Sequence, residues 1–256
     1  MPLNAEFYQT VKPLDRNWSM GVELVSPLLH SLVRCTRPRK VLEIGAGYST
    51  IFLLQSLADN LAEYQDSQKI LKGQVRSDEH RGLRRLLKGK HPLPLAETEY
   101  YEVPYSPALC VIDDSSHPAT SALKVMDVAR KLKIDTYLKF YEGDFRGMSK
   151  KFEPQVLPFD FIWFDCGMLD EFLQEYWDLL NPNGGFLLIH STLTNPTKLA
   201  ILNKFRETHA SLESGGFEMV SLLEPHKWRQ NSLTLIRRLS PSMYHVPEGD
   251  SEDNGE

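Results

Sequence analysis

The chain has 256 residues, 41% of them hydrophobic, and a formal net charge of −5 with a pI near 5.9. Its length suits one sizeable α/β domain, its acidic balance leaves no basic footprint for nucleic acid, and no stretch approaches the ~20 apolar residues of a membrane span. Three scattered cysteines, Cys35, Cys110 and Cys166, make neither a disulfide framework nor a paired zinc motif, which points to a reducing, cytoplasmic setting.

The opening "MPLNAEFYQTVKPLD" lacks a basic region followed by an apolar core, so no secretory leader is expected. From Ser19 to Arg34, Val22, Val25, Leu28, Leu29 and Leu32 recur at helical spacing, with Pro27 expected to kink or restart the helix. Residues 1–39 read as an N-terminal helical segment. "KVLEI" then has the content of a short buried strand, and "YSTIFLLQSLADN" resumes a helical pattern directly after two glycines. "ALCVIDD" is a second strand, followed by a helix whose stripe is Ala122, Val125, Met126 and Ala129. "YLKFYEGDF", "FDFIWFD" and "FLLIHS" are the third, fourth and fifth strands, with the amphipathic "MLDEFLQEYWDLL" and the turn "NPNGG" between the last two. Trp163, in the middle of the fourth strand, is expected in the core.

After a helix around "TKLAILNKFRETHA", the runs "FEMVSLLEP" and "NSLTLIRRL" are separated by too short a link for a helical crossover, so they should form an antiparallel hairpin. Alternating strands and helices otherwise demand a parallel sheet covered on both faces. About 20 residues normally separate a glycine loop from the acid ending the next strand. The gap is far longer here, and residues 61–106 read as an insertion within a domain spanning 40–239. That insertion carries Arg81, Arg84, Arg85, Lys88 and Lys90, as a solvated helical face or mobile loop, as a lid or anionic-substrate contact, or, against the overall charge, as an RNA-binding patch. Residues 240–256 end in "PEGDSEDNGE", which has five acids and no bulky apolar side chain, and are expected to be a disordered acidic tail.

"VLEIGAGYST" places Gly45 and Gly47 at a strand exit, where main chain without a Cβ admits a close ligand. A dinucleotide fingerprint would have a third glycine where Thr50 stands, and a phosphate loop would need a Gly-Lys-Ser/Thr ending that is absent. With Glu43, Ile44, Gly45, Ala46 and Gly47, the loop resembles the first motif of class I S-adenosylmethionine (SAM)-dependent methyltransferases. "CVIDDSSH" is similar to that family's second strand, whose terminal acid binds ribose hydroxyls, with Asp113 the better-aligned residue and Asp114 its neighbour. "YEGDF" resembles the element that meets adenine, where Asp144 would accept from the exocyclic amine and Phe145 would cover the ring. The resemblance covers residues 19–239. It implies a Rossmann-like fold with a mostly parallel seven-stranded sheet, a terminal antiparallel hairpin and helices on both faces. It also implies SAM as cofactor and transfer of a methyl group to oxygen or nitrogen of a small polar acceptor. For Glu43, a structural carboxylate capping the loop is the competing role; for Asp113 it is a helix N-cap, and for Asp144 an exposed turn acid.

The fourth and fifth strands are closest to the catechol and caffeoyl-CoA type O-methyltransferases, whose acid after the fourth strand and Asp-Asn pair after the fifth hold a divalent ion. Asp165 stands at the first position, but His190 and Ser191 stand where the pair would be, so the oxygen cage is broken and no divalent metal is expected. His190 is instead a candidate general base, and Asp165 a candidate to orient the acceptor or the histidine. Asp165 is also counted with the cofactor-binding set. Cys166 has no partner that would make it a nucleophile. Tyr8, Trp18 and Met20 precede the first strand, in a region that in related enzymes closes over the acceptor, although simple packing of the N-terminal segment is the better explanation of them. A small-molecule acceptor is the expected partner, with no nucleic acid or membrane expected and a homodimer left open. Two competing functions remain: a cofactor-binding scaffold without catalysis, and a nicotinamide-dependent oxidoreductase.

Overall fold

The computed structural model describes residues 3–14, 24–71, 103–116, 121–209, 216–227 and 230–239. The basic cluster from Arg81 to Lys90, Trp18, Met20 and the acidic tail lie outside the described residues. Helix α1 (Ala5–Val11) is capped by Asn4, whose side-chain oxygen accepts from the Phe7 amide at 2.9 Å. In α2 (Val25–Thr36), Pro27 is the third residue, where an amide hydrogen has no intrahelical acceptor, so the ring is accommodated in the first turn. The helix closes on Arg37 in the left-handed conformation, its amide bonded to the Val33 carbonyl.

Strand β1 (Lys40–Ile44) leads into α3 (Tyr48–Leu71). That helix is 24 residues long, so the first eleven residues of the stretch read as an insertion continue the helix instead. Then come β2 (Ala108–Asp113), α4 (Ala122–Lys131), β3 (Leu138–Glu142), β4 (Phe161–Phe164), α5 (Leu169–Tyr176), β5 (Phe186–His190) and α6 (Pro196–His209). A hairpin of β6 (Phe217–Leu223) and β7 (Ser232–Arg238) ends the described chain. On α4 the buried stripe is Ala122, Val125, Val128 and Ala129, with Met126 only half-buried.

The seven strands form one sheet in the order β3-β2-β1-β4-β5-β7-β6. Strands β1 to β5 pair in parallel, and β7 slots antiparallel between β5 and β6. Successive strand side chains point to opposite faces, which divides the core in two. Val41, Leu109, Val111, Phe161, Trp163 and Leu188 pack toward α1 to α4 with Phe7, Leu29 and Phe52. Leu42, Ile44, Ile112, Phe164 and Ile189 pack on the other face with Phe172 and Tyr176 of α5. At the amino edge, the Asp160 carboxylate accepts from the Arg39 and Lys40 amides at 2.9 and 3.1 Å and from the Asn181 side chain at 2.9 Å, tying β1 to the turn before β5. In that turn a Cβ on Gly185 would come within 2.7 Å of the Asn181 carbonyl, so no larger residue fits.

The chain proceeds from β1 outward to β2 and β3, then returns across β1 to β4. The reversal opens a crevice at the carboxyl ends of the strands, where open α/β sheets bind ligands. Each of the five parallel strands is followed within four residues by one in the left-handed region: Gly45, Ser115, Gly143, Met168 and Ser191. Three of these are not glycine, and that conformation carries a steric cost for them. No helix among the described residues is long and apolar enough to cross a membrane.

Candidate active site

The glycine loop is held by its own surroundings. The Gly45 amide donates to the Ile112 carbonyl at 2.9 Å, Ala46 to Asp113 Oδ2 at 2.8 Å, and Gly47 to Thr50 Oγ1 at 2.9 Å. Thr50, standing where a dinucleotide fingerprint has its third glycine, therefore caps the loop with its hydroxyl. Gly45 has φ +99°, and a Cβ there would lie 3.4 Å from the Asp165 carbonyl; one on Gly47 would lie 3.3 Å from Ser121 Oγ. The two missing side chains let the loop pass between β2 and β4 and leave bare main chain facing the crevice.

Glu43 follows the inward alternation of β1 and is 0% exposed. Ser49 Oγ donates to its Oε1 at 2.6 Å, while Oε2 has no partner. Burial pushes the carboxyl up to about 8, against the hydrogen bonds from Ser49 and Thr50 that favour the anion, and the charges of Asp165 and Asp113 push the same way as burial. At neutral pH the residue is largely a neutral acid beneath the loop.

Ile44, Gly45, Ile112, Asp113, Asp114, Gly143, Asp144, Phe145, Cys166 and Met168 line one crevice. The structure thus brings together residues expected from three separate motifs. Asp113 accepts from the Ala46 and Ser115 amides, one on each oxygen, and keeps a lone pair on each for another donor. Asp114 is solvated, and the Ser116 amide holds it below the usual carboxylate range. Asp144 is engaged by its neighbour: Arg146 Nε lies 3.0 Å from both oxygens, Nη2 closes the fork, and the Arg146 amide donates at 2.9 Å. Those bonds lower the Asp144 carboxyl. Phe145 lines the crevice, but its ring is only 4% exposed and packs edge-on against Phe164 and Phe172. It serves as the crevice's apolar floor more than as a free cover for a ring.

Across the sheet, His190 ends β5 and is 1% exposed. Its Nδ1 lies 2.7 Å from Asp165 Oδ1 and its Nε2 3.2 Å from the Gln230 carbonyl, with the ring 5.8 Å from that of Trp163. Both ring nitrogens face acceptors. The expectation that His190 offers a free nitrogen to an acceptor is not met in this arrangement, because β7, inserted beside β5, brings Gln230 against it. Asp165 is the accessible member of the pair, its side chain 31% exposed. Trp163 is fully buried in the core, as its place in the strand suggested. Burial raises the Cys166 thiol, consistent with an unreactive cysteine. Tyr8 packs on Phe7 and Phe52, on the α3 side of the sheet.

One residue of this region has no counterpart among those expected. Lys198, third in α6, is 8% exposed, and its ammonium donates to the His190 carbonyl at 2.8 Å and lies over the Phe164 ring. Burial lowers its proton affinity, and the Asp165 and Cys166 charges oppose that. Its signal in the sequence was a basic residue in a first turn, against the helix dipole. Among the described residues no three His, Cys, Asp or Glu side chains converge into a metal cage.

No family model matches the chain, and neither does any curated protein. Solved structures do. The O-methyltransferase TomG from Streptomyces achromogenes, in complex with SAM, superposes with a TM-score of 0.57 at 14% identity, over 93% of this chain and 91% of its own. An O-methyltransferase from Bacillus cereus in complex with S-adenosylhomocysteine (SAH) gives 0.57 at 12% identity, over 94% and 93%. A Staphylococcus aureus protein described as a caffeoyl-CoA O-methyltransferase gives 0.51 at 12% identity, over 92% and 90%. Identities this low speak for architecture, and what they establish is that this chain has the seven-stranded class I methyltransferase fold.

Proposed function

We propose that the protein is a SAM-dependent methyltransferase acting on a small polar acceptor in the cytoplasm. The observation that carries this reading is the sign of the crevice. Asp113, Asp114 and Asp144 line it, and every amide from Gly45 to Gly47 is already spent inside the fold. A pyrophosphate needs free amides and a positive field; this crevice offers neither, which disfavours a nicotinamide cofactor. A ligand carrying a sulfonium and an ammonium suits the same carboxylates. That the fold neighbours were crystallised with SAM or SAH agrees with this choice.

The residues fit such a ligand. Asp113 would take the ribose hydroxyls with its remaining lone pairs, Gly45 and its neighbours would receive the amino acid end against bare main chain, and Asp114 would add charge at the mouth. For Asp144 to accept an adenine amine, Arg146 has to turn aside. When bound, SAM supplies a methyl group already activated on sulfur, so the protein's share is chiefly alignment and exclusion of water. His190 acts as a positioning residue, fixing Asp165 toward the acceptor side. Calorimetric titration with SAM and SAH, followed by a search for new methylated products in a metabolite extract, tests the reading. Saturable binding followed by product supports it, binding without product favours the scaffold, and failure of the folded protein to bind either compound overturns it.

A further inference from the structure

Strand β6 forms one edge of the sheet, and among the described residues nothing pairs with its outer side. Its sequence, "FEMVSLL", has neither lysine nor proline to blunt that edge, and its one charge, Glu218, lies 3.8 Å from Arg237 of β7. The opposite edge, β3, is protected: Lys139 stands within it and pairs with Glu153. On β6, Val220, Leu222 and Leu223 are 55%, 46% and 54% exposed, the densest group of exposed large apolar side chains among the described residues. The hydrogen-bond pattern fixes which backbone groups of the strand are free. The Glu224 amide donates to the Asn231 carbonyl at 2.6 Å and the Leu239 amide to the Gly216 carbonyl at 2.8 Å, both in step with the β6–β7 register. Bonded and non-bonded pairs alternate in an antiparallel ladder. Even-numbered residues of β6 therefore bond to β7, and the amides and carbonyls of Phe217, Met219, Ser221 and Leu223 point outward.

We propose that β6 pairs antiparallel with β6 of a second copy of this chain, across a twofold axis through Ser221, joining two seven-stranded sheets into one. The register follows from self-complementarity. The outward groups require odd residues to bond odd residues, and this axis sets Ser221 against the partner's Ser221 and Met219 against the partner's Leu223. Val220 then meets the partner's Leu222 in a non-bonded pair, where side chains approach closest. About six main-chain hydrogen bonds form, and the exposed apolar side chains of both copies are covered. An axis through Val220 satisfies the same parity but sets Glu218 against the partner's Leu222, and a carboxylate beside an apolar side chain disfavours it. Strand pairing of this extent buries about 1,000 Å², the small end of specific interfaces, which suits a reversible dimer. The contact is isologous and closes at two copies. It also lies one strand from the carboxyl rim. Ser221 Oγ is 2.8 Å from Thr234 Oγ1, itself 2.7 Å from Thr192 Oγ1, so the pairing braces the hairpin that holds the Gln230 carbonyl against His190. None of this depends on what the crevice binds.

Sedimentation velocity on the full chain, from about 1 to about 200 µM, is the test. The wild type is expected to pass from monomer to dimer with a Kd on the order of 10 µM. Val220→Lys and Leu222→Glu, each at an exposed position, are expected to weaken self-association about tenfold or more by placing a charge against the partner's apolar side chain. Thermal unfolding of both variants is expected to stay within about 5 °C of the wild type, which separates a lost interface from a lost fold. An equimolar mixture of the two variants is expected to recover a dimer within about threefold of the wild-type Kd, because the introduced ammonium and carboxylate then face each other. A wild type that stays monomeric to about 200 µM, or assembly beyond the dimer, overturns the proposal. So does a dimer that Val220→Lys leaves intact, or a mixture that stays monomeric.

Discussion

Glu43 gives the sharpest test of the electrostatics beneath the glycine loop. Its carboxyl is 0% exposed, is favoured as the anion only by the Ser49 and Thr50 hydroxyls, and is pushed by burial from an ordinary 4.5 up to about 8. In the unfolded chain the group releases its proton near 4.5, whereas the folded protein retains it to about 8. Between those values the native state binds the extra proton, so stability falls as pH rises through this window and is fully present only below it. At about 1.36 kcal/mol per pH unit, the displacement amounts to about 5 kcal/mol, of which about 4 kcal/mol is lost by pH 8. Glu43→Gln keeps an oxygen for Ser49 and removes the titration. Urea unfolding of both proteins between about pH 5 and about pH 9 should show the variant gaining several kcal/mol on the wild type across the range. Stability curves that stay parallel to within about 1 kcal/mol would refute the buried, protonated carboxyl.

Asp113→Ala removes the acceptor for the Ala46 and Ser115 amides and, on the proposed reading, the carboxylate offered to the ribose hydroxyls, so SAM affinity by calorimetry should fall about tenfold to a hundredfold. Arg146→Ala releases Asp144 from an exposed ion pair and should tighten SAM binding by about threefold; weaker binding would mean that Arg146 itself touches the ligand. His190→Phe preserves a ring beside Trp163 but frees Asp165 and orphans the Gln230 carbonyl; kcat on any identified acceptor should drop about tenfold or more, with SAM affinity within about twofold. An unchanged kcat would show that Asp165 needs no anchor.

The alternation of apolar strands and helical stripes was enough to determine the parallel sheet and the closing hairpin, because periodicity and link length are local properties. The same holds for the glycine loop and for the acids at the strand ends, which fall together because parallel strands all end at one rim. The extent of α3 escaped for an equally local reason: beyond Asn60 its sequence turns polar, and a helix whose outer face is solvated leaves little apolar signal. What a residue does at the rim was decided by tertiary structure alone. Nothing near His190 in sequence announces Gln230, which arrives through the insertion of β7 beside β5, and the buried ammonium of Lys198 has meaning only beside the carbonyl that α6 folds back to meet. Arg146 is two residues from Asp144, yet only the turn after β3 shows that it claims that carboxylate. Element type and burial are set by many weak apolar contacts that a pattern records, whereas protonation and partnership depend on a few close polar neighbours brought from distant segments.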